Sequence, residues 1–241
     1  MKICVCFIGL QRTIEQTIDN IRSKVFDNEN TFDIIFVTWA NEDTTIFERC
    51  FPSAKIYKIQ PIDDKDSYFL EWINNYKMHI SWRNTYPNGN DALFRYFIQI
   101  YLWKKAVGII DTLQETYDLV IRMRTDIKIH GTPIHIYYTL AAEHKNVVYF
   151  PNEQGQCIFP DKDYSLPDQL FMGNPDDMKI LLSIIDHMDI CNVTYTETIL
   201  RWFGKPQLET NILHPETSLY IYSKNKLLTA VIMQNRIEVI R

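Results

Sequence analysis

Arg122, Arg124 and Asp126 stand at alternate positions directly after the apolar run Leu119-Val120-Ile121. On an extended chain, alternate positions share one face. The apolar run is what a strand buried on both sides shows. Charges at the end of such a strand are buried only when paired or bound to something. Two guanidinium groups can clamp a diphosphate, and a carboxylate can hold a divalent cation through oxygen. The ordinary reading of Arg-x-Arg-x-Asp is a solvated salt-bridge cluster, and so short a motif leaves both readings open.

Two further strand ends are polar, Gly9-Leu10-Gln11-Arg12-Thr13 and Thr38-Trp39. In open parallel sheets, ligands lie beyond the carboxyl ends of the strands. Gly9 permits close backbone approach. Arg12 can pair with a phosphate, and a helix starting near Thr13 offers unpaired N–H groups. Trp39 can stack on a base or a sugar. Taken as one site, these ends suit a sugar nucleotide, with places for base, diphosphate and cation. Each residue also has a plain structural use: a turn at Gly9, a surface position for Arg12, core packing for Trp39.

Asp168 stands at the mouth of a short strand after a long loop, where a general base or an acceptor-binding group can sit. A local cap or ion pair explains it equally well. His214 precedes Pro215-Glu216 at a chain reversal and reads as a metal ligand or phosphate partner, or as a satisfied structural histidine. Glu216 has helix N-terminal character, which is a structural reason in itself.

The elements that must position these groups begin with a strand at 3–8, then a helix capped by Thr13 and running to about Phe26. Strands follow at 33–39 and 55–59, joined by the polar connection NEDTT. This is the start of a parallel α/β sheet. Residues 61–90 are less regular: a PIDDKD loop, an aromatic helix candidate, then the turn cluster NTYPNGND. The longest helix is expected over Asp91 to about Glu115, with Leu93, Phe97, Ile100, Tyr101 and Lys104 at helical spacing. It leads into the Leu119 strand. A strand at 146–150, a long loop, a strand at Leu170–Met172 and a helix opened by Pro175 come next. Another helical piece (Thr196–Phe203) and a C-terminal strand or strand pair complete the chain. No repeat or linker is visible, so one α/β domain with a mostly parallel sheet flanked by helices is expected. A nucleotide-binding-type front half and a mixed second half are expected, which the family resemblance given below would make a nucleotide-sugar half (1–130) and an acceptor half (131–241).

The chain of 241 residues is 46% hydrophobic and 23% charged, with a formal net charge of −5, which excludes a broad basic surface for nucleic acid or anionic lipid. Five cysteines, an odd count without CxxC or zinc spacing, read as reduced residues of an intracellular protein. The N-terminal stretch lacks a small-x-small cleavage site. No run approaches the ~20 apolar residues of a membrane span. A cytoplasmic location is therefore expected. The sequon at Asn192 carries little weight in such a protein. Fingerprints of dinucleotide folds, P-loops, zincins and serine hydrolases are lacking.

The ordered set of motifs resembles the GT-A-like glycosyltransferases of large DNA viruses and of bacterial surface-polysaccharide clusters. It comprises G-x-Q-R-T at Gly9 to Thr13, Thr38-Trp39, Tyr101 with Lys105-Ala106, and Tyr117 to Asp126. Asp168 to Asn174 and Pro215 to Tyr220 follow in the same order. The resemblance implies one Rossmann-like GT-A domain, a nucleotide-sugar donor and a glycan or glycoprotein acceptor. It makes Gly9, Gln11, Arg12, Thr38, Trp39, Arg122, Arg124 and Asp126 the donor-binding set. Such enzymes carry Asp-x-Asp where this chain has Arg124-Thr125-Asp126, so either Mn2+ or Mg2+ is held at Asp126 with His214, or Arg124 itself neutralises the diphosphate. Asp168 is the expected proton acceptor, with Glu209 and Glu216 in reserve. The competing readings are a sugar-phosphate nucleotidyltransferase and a non-catalytic carbohydrate-binding scaffold. The first would need a glycine-rich, lysine-bearing loop after the first strand.

Overall fold

Alternation in the first strand sets the layers. In β1 (Lys2–Ile8), Ile3, Val5 and Phe7 face one apolar cluster while Cys4, Cys6 and Ile8 face another. The sheet is thus covered on both sides, as continuous apolar strands require. The computed structural model describes residues 1–63, 65–75, 89–113, 115–152, 166–187 and 215–240, with backbone alone for 72–75, 89–93, 215–217 and 220–221.

Helix α1 (Ile14–Val25) buries Ile14, Ile18, Ile21 and Val25 on the first cluster, the face its spacing predicts. Strand β2 (Thr31–Trp39) follows, then α2 (Thr45–Cys50), β3 (Lys55–Ile59) and α3 (Ser67–Asn75). No periodic signal announces α2, whose single turn and a half is too short for one. Helix α4 (Gly89–Thr112) crosses the second face and buries Phe97, Ile100, Trp103 and Ala106. Strands β4 (Leu119–Met123) and β5 (Ile127–His130) come next, β5 being another element too short to read. Then come α5 (Tyr138–Glu143), β6 (Val147–Asn152), β7 (Leu170–Gly173) and α6 (Pro175–Leu182). Helix α7 (Pro215–Asn225) and one long strand, β8 (Thr229–Val239), complete the order.

The eight strands form one sheet in the order β3-β2-β1-β4-β7-β6-β8-β5. β1 to β4 are mutually parallel, and β6 and β8 run with them. Only β7 and β5 oppose the rest. The result is a single mixed α/β domain with a mostly parallel sheet, as expected. Helices α1, α2 and α5 cover one face; α3, α4, α6 and α7 cover the other. Among the described residues no helix is long and apolar enough to cross a membrane. The sequence positions His214, Glu209, Cys157, Cys191, Asn192 and the 196–203 helix lie outside the described residues. Glu216 falls in α7, where the backbone alone is described.

Two motif residues prove to be structural. A Cβ at Gly173 would meet the Val147 carbonyl oxygen at 3.1 Å, a tight contact that the neighbouring strand would have to relieve. Asn174 caps α6, its side-chain oxygen accepting the Asp177 N–H at 3.0 Å, with Pro175 in the first turn. Asn174→Ala is expected to lower unfolding stability by about 1 kcal/mol, read from chemical denaturation. The Thr13 cap does not form. Its hydroxyl instead donates to the Ile240 carbonyl at 3.2 Å, a partner 227 positions away that no local pattern announces.

Candidate active site at the β1/β4 switch point

From β1 the chain winds outward to β2 and β3, then returns to place β4 on the other side of β1. The loops leaving β1 and β4 therefore part company, and a crevice opens between them. It is lined by Gly9, Leu10 and Arg12 from the first loop, by Arg122 of β4, and by Arg124, Thr125 and Asp126 from the loop after it. Trp39 closes one side. Helix α4 supplies Arg95, Ile98, Gln99 and Leu102, positions that fall on one helical face. The cleft has a volume of about 310 Å³.

Backbone conformation shapes the first loop. Gly9 has φ +122, which an L side chain rarely adopts, although an added Cβ would meet nothing within 4 Å. Arg12 has φ +38, a left-handed conformation that costs a non-glycine residue about 1–2 kcal/mol. Thr125 ties the two loops together. Its hydroxyl donates to the Leu10 carbonyl at 2.6 Å, and its own carbonyl accepts from Thr17 at 2.6 Å. Sequence reasoning passed over Thr125, Arg95 and Gln99. The helical spacing of the latter two with Leu102 was the available signal.

Asp126 is the hub of the charges. Its Oδ1 accepts from Arg124 Nε at 2.8 Å; its Oδ2 accepts from Arg124 Nη2 at 2.7 Å and from Arg12 Nη1 at 2.8 Å. Its side chain is only 2% exposed. Burial pushes this carboxyl up, but the guanidinium groups of Arg124 and then Arg12 outweigh burial and hold it below its ordinary value.

Arg122 has the opposite surroundings. It belongs to the apolar face of β4, 1% exposed, with its guanidinium 4.7 Å from the Trp103 ring centroid and 5.4 Å from that of Phe171. Its Nε and Nη1 have no acceptor among the described residues. Burial, first of all, lowers its pKa to about 10, while the charge of Asp168 works the other way. A guanidinium packed against a T-shaped ring pair with donors unspent is an expensive element to keep in a core.

The remaining expected residues are dispersed. Thr38 is fully buried and does not line the cleft. Gln11 turns its side chain away, its Oε1 accepting the Phe47 N–H of α2 at 3.1 Å. Trp39 reaches the cleft but stacks nearly parallel on Tyr101, with centroids 6.3 Å apart. Asp168 is buried, lies outside the lining, and accepts from Gln99 Nε2 at 2.5 Å. A general base must reach the acceptor. Here Asp168 has instead an amide to orient and the Arg122 charge to balance.

Among the described residues there is no group of three His, Cys, Asp or Glu side chains that could hold a metal. Both oxygens of Asp126 are already faced by guanidinium groups. These residues do not fit Mn2+ or Mg2+, which call for several free oxygen ligands. In the structure Asp126 is the acceptor of an arginine pair, and His214, expected beside it, lies outside the described residues.

No family model and no curated protein matches the sequence. Among solved structures, mouse xyloside xylosyltransferase 1 in its apo form is similar at 7% identity, over 97% of this chain and 85% of that one, with a TM-score of 0.48. The galactosyltransferase LgtC, in complex with donor and acceptor sugar analogues, is similar at 7% identity over 96% and 73% of the two chains, with a TM-score of 0.45. At these values the likeness adds nothing about chemistry. The case for the site rests on its own geometry.

Proposed function

We propose that this protein is a GT-A glycosyltransferase that moves a sugar from a nucleotide-sugar donor to a glycan or glycoprotein acceptor. One observation carries the reading: Arg122, a buried guanidinium with unspent donors, lines a crevice at a sheet switch point. An anionic ligand is the partner that such a group lacks. Arg12, Arg95 and Arg124 add positive charge around it, and Trp39 offers an aromatic edge for a base or sugar. Residues 1–130 supply most of this donor cleft, and the acceptor is taken from the side of 131–241. In the reaction, the bond from the anomeric carbon to the phosphate oxygen breaks and its electron pair stays with the leaving diphosphate. The acceptor hydroxyl oxygen forms the new bond and its proton passes to a base. Fixed cations close to the leaving oxygen are worth most at the moment when its charge develops. Asp168 enters as a positioning residue for Gln99 and Arg122.

The test is thermal unfolding with nucleoside diphosphates and nucleotide sugars, each with EDTA or with Mn2+. A ligand at 100 times its Kd is expected to stabilise the folded protein by about 2.7 kcal/mol. Flat melting curves across the whole panel would sink the reading. A carbohydrate-binding scaffold would differ by binding free glycans while releasing no sugar from any donor.

A further inference from the structure

Resting on the reading of the cleft as a diphosphate site, we propose that this chain binds the diphosphate on arginine alone, without a divalent cation. Asp126 then serves as the counter-ion that keeps Arg12 and Arg124 aimed.

Three observations carry this. First, the carboxylate expected to hold a metal already accepts three guanidinium hydrogen bonds across its two oxygens. Arg124 takes both oxygens as a fork and Arg12 shares the second. A cation approaching Asp126 would meet two guanidinium charges before it met a lone pair. Second, the charge of the lining is already that of an anion site. Among the described residues of the lining, Arg12, Arg95, Arg122 and Arg124 stand against a single acid, Asp126, so the cleft is cationic before any ligand arrives. In metal-assisted sites an ion held by carboxylate oxygens supplies much of the positive charge. Here the protein supplies it. Third, Arg122 is buried at a cost that the described side chains around it do not offset, its Nε and Nη1 lacking acceptors among them. Arginine matches phosphate oxygens in a planar fork and stacks on aromatic faces, and Trp103 and Phe171 hold Arg122 in that manner.

The arrangement also explains the alternate spacing of the two arginines and the acid. Arg122 lies on the strand, inside the apolar layer. Arg124, past the strand end, turns onto Asp126 two residues further on. One arginine is left for the ligand, and the other is locked in orientation by an internal acid. Arg12 arrives from the opposite loop in a left-handed backbone conformation and shares the same acid. The ion triad thus joins both rims of the cleft, and an anion between them finds cations on either side.

Calorimetric titration of the full chain with uridine, guanosine, cytidine and adenosine diphosphates, in EDTA and then in Mg2+ or Mn2+, tests the proposal. The diphosphate that binds is expected to bind in EDTA as tightly as with the metal. Its affinity should fall as salt is raised, as attraction between exposed charges does. Asp126→Asn, which leaves Arg12 and Arg124 without the charge that aims them, is expected to weaken binding by the same factor in EDTA and with metal. Were Asp126 a metal ligand, the variant would instead lose only the part of the affinity that the metal adds. Should Asp126→Asn fail to fold, the comparison of wild-type protein with and without metal still decides. Binding seen only with metal overturns this inference and leaves the diphosphate site standing. Binding under neither condition overturns both.

Discussion

Arg122→Met is expected to leave the protein as stable as the parent, or more so, while weakening diphosphate binding by about tenfold or more. The two effects have one cause. Methionine packs a polarizable side chain against Trp103 and Phe171 and removes a buried charge. Replacing buried ionic groups by apolar ones of similar volume is often neutral or stabilising by about 1–4 kcal/mol. Against this stands the cation–π attraction of the guanidinium for the two rings, worth about 2 kcal/mol when desolvated. The lowered pKa of Arg122, about 10, says that its surroundings disfavour the charge on balance. Urea unfolding and titration calorimetry on the same preparation read both effects. A loss of several kcal/mol in stability would make Arg122 an architectural residue. Unchanged diphosphate affinity would remove it from the site.

Asp126→Ala is expected to cost about 3 kcal/mol, because removing one partner of a buried ion pair strands the other. Arg124 then loses its fork, while Arg12, half exposed, turns to water and contributes little of this cost. The effect depends on pH with a defined sign. The folded-state pKa of Asp126 lies below the ordinary 3.8, so its contribution is present in full above that value and is lost as pH falls through the depressed one. The stability gap between wild type and variant should therefore be constant from neutral pH to about pH 5 and close below it. A gap that instead narrowed between pH 6 and 8 would point to a different titrating partner (about one unit either side of neutral).

Comparing these residues with their spacing shows what the sequence carried. Alternation in Ile3 to Ile8 and the apolar run at Leu119 were enough to place β1 and β4, since both faces of each strand are buried. The helical repeat of Ile14, Ile18, Ile21 and Val25 placed α1 in the same way. Arg122, Arg124 and Asp126 were recognisable as a group because charges after a buried strand demand partners. Their division of labour was not. Whether Asp126 faces a metal or two arginines depends on Arg12, 114 positions earlier, and on the loop that aims it. Gln11 and Thr38 misled for a similar reason. Adjacent positions on a loop or strand point in different directions, and tertiary packing against Phe47 and the core claims these two side chains. α2 and β5 are short enough that packing, with no periodic signal, decides them.

The hydrogen bonds of Ile240 carry a consequence for the order in which the molecule is made. Its N–H donates to the Asp126 carbonyl at 2.8 Å, and its carbonyl accepts from Thr13. Both rims of the cleft are thus buttressed by a residue that the ribosome adds more than a hundred positions after either loop. A nascent chain that has exposed β1 to β4 can hold the four-stranded parallel core, yet its cleft lacks this brace. Ligand binding at the cleft should accordingly appear late in synthesis, once β8 has emerged and docked.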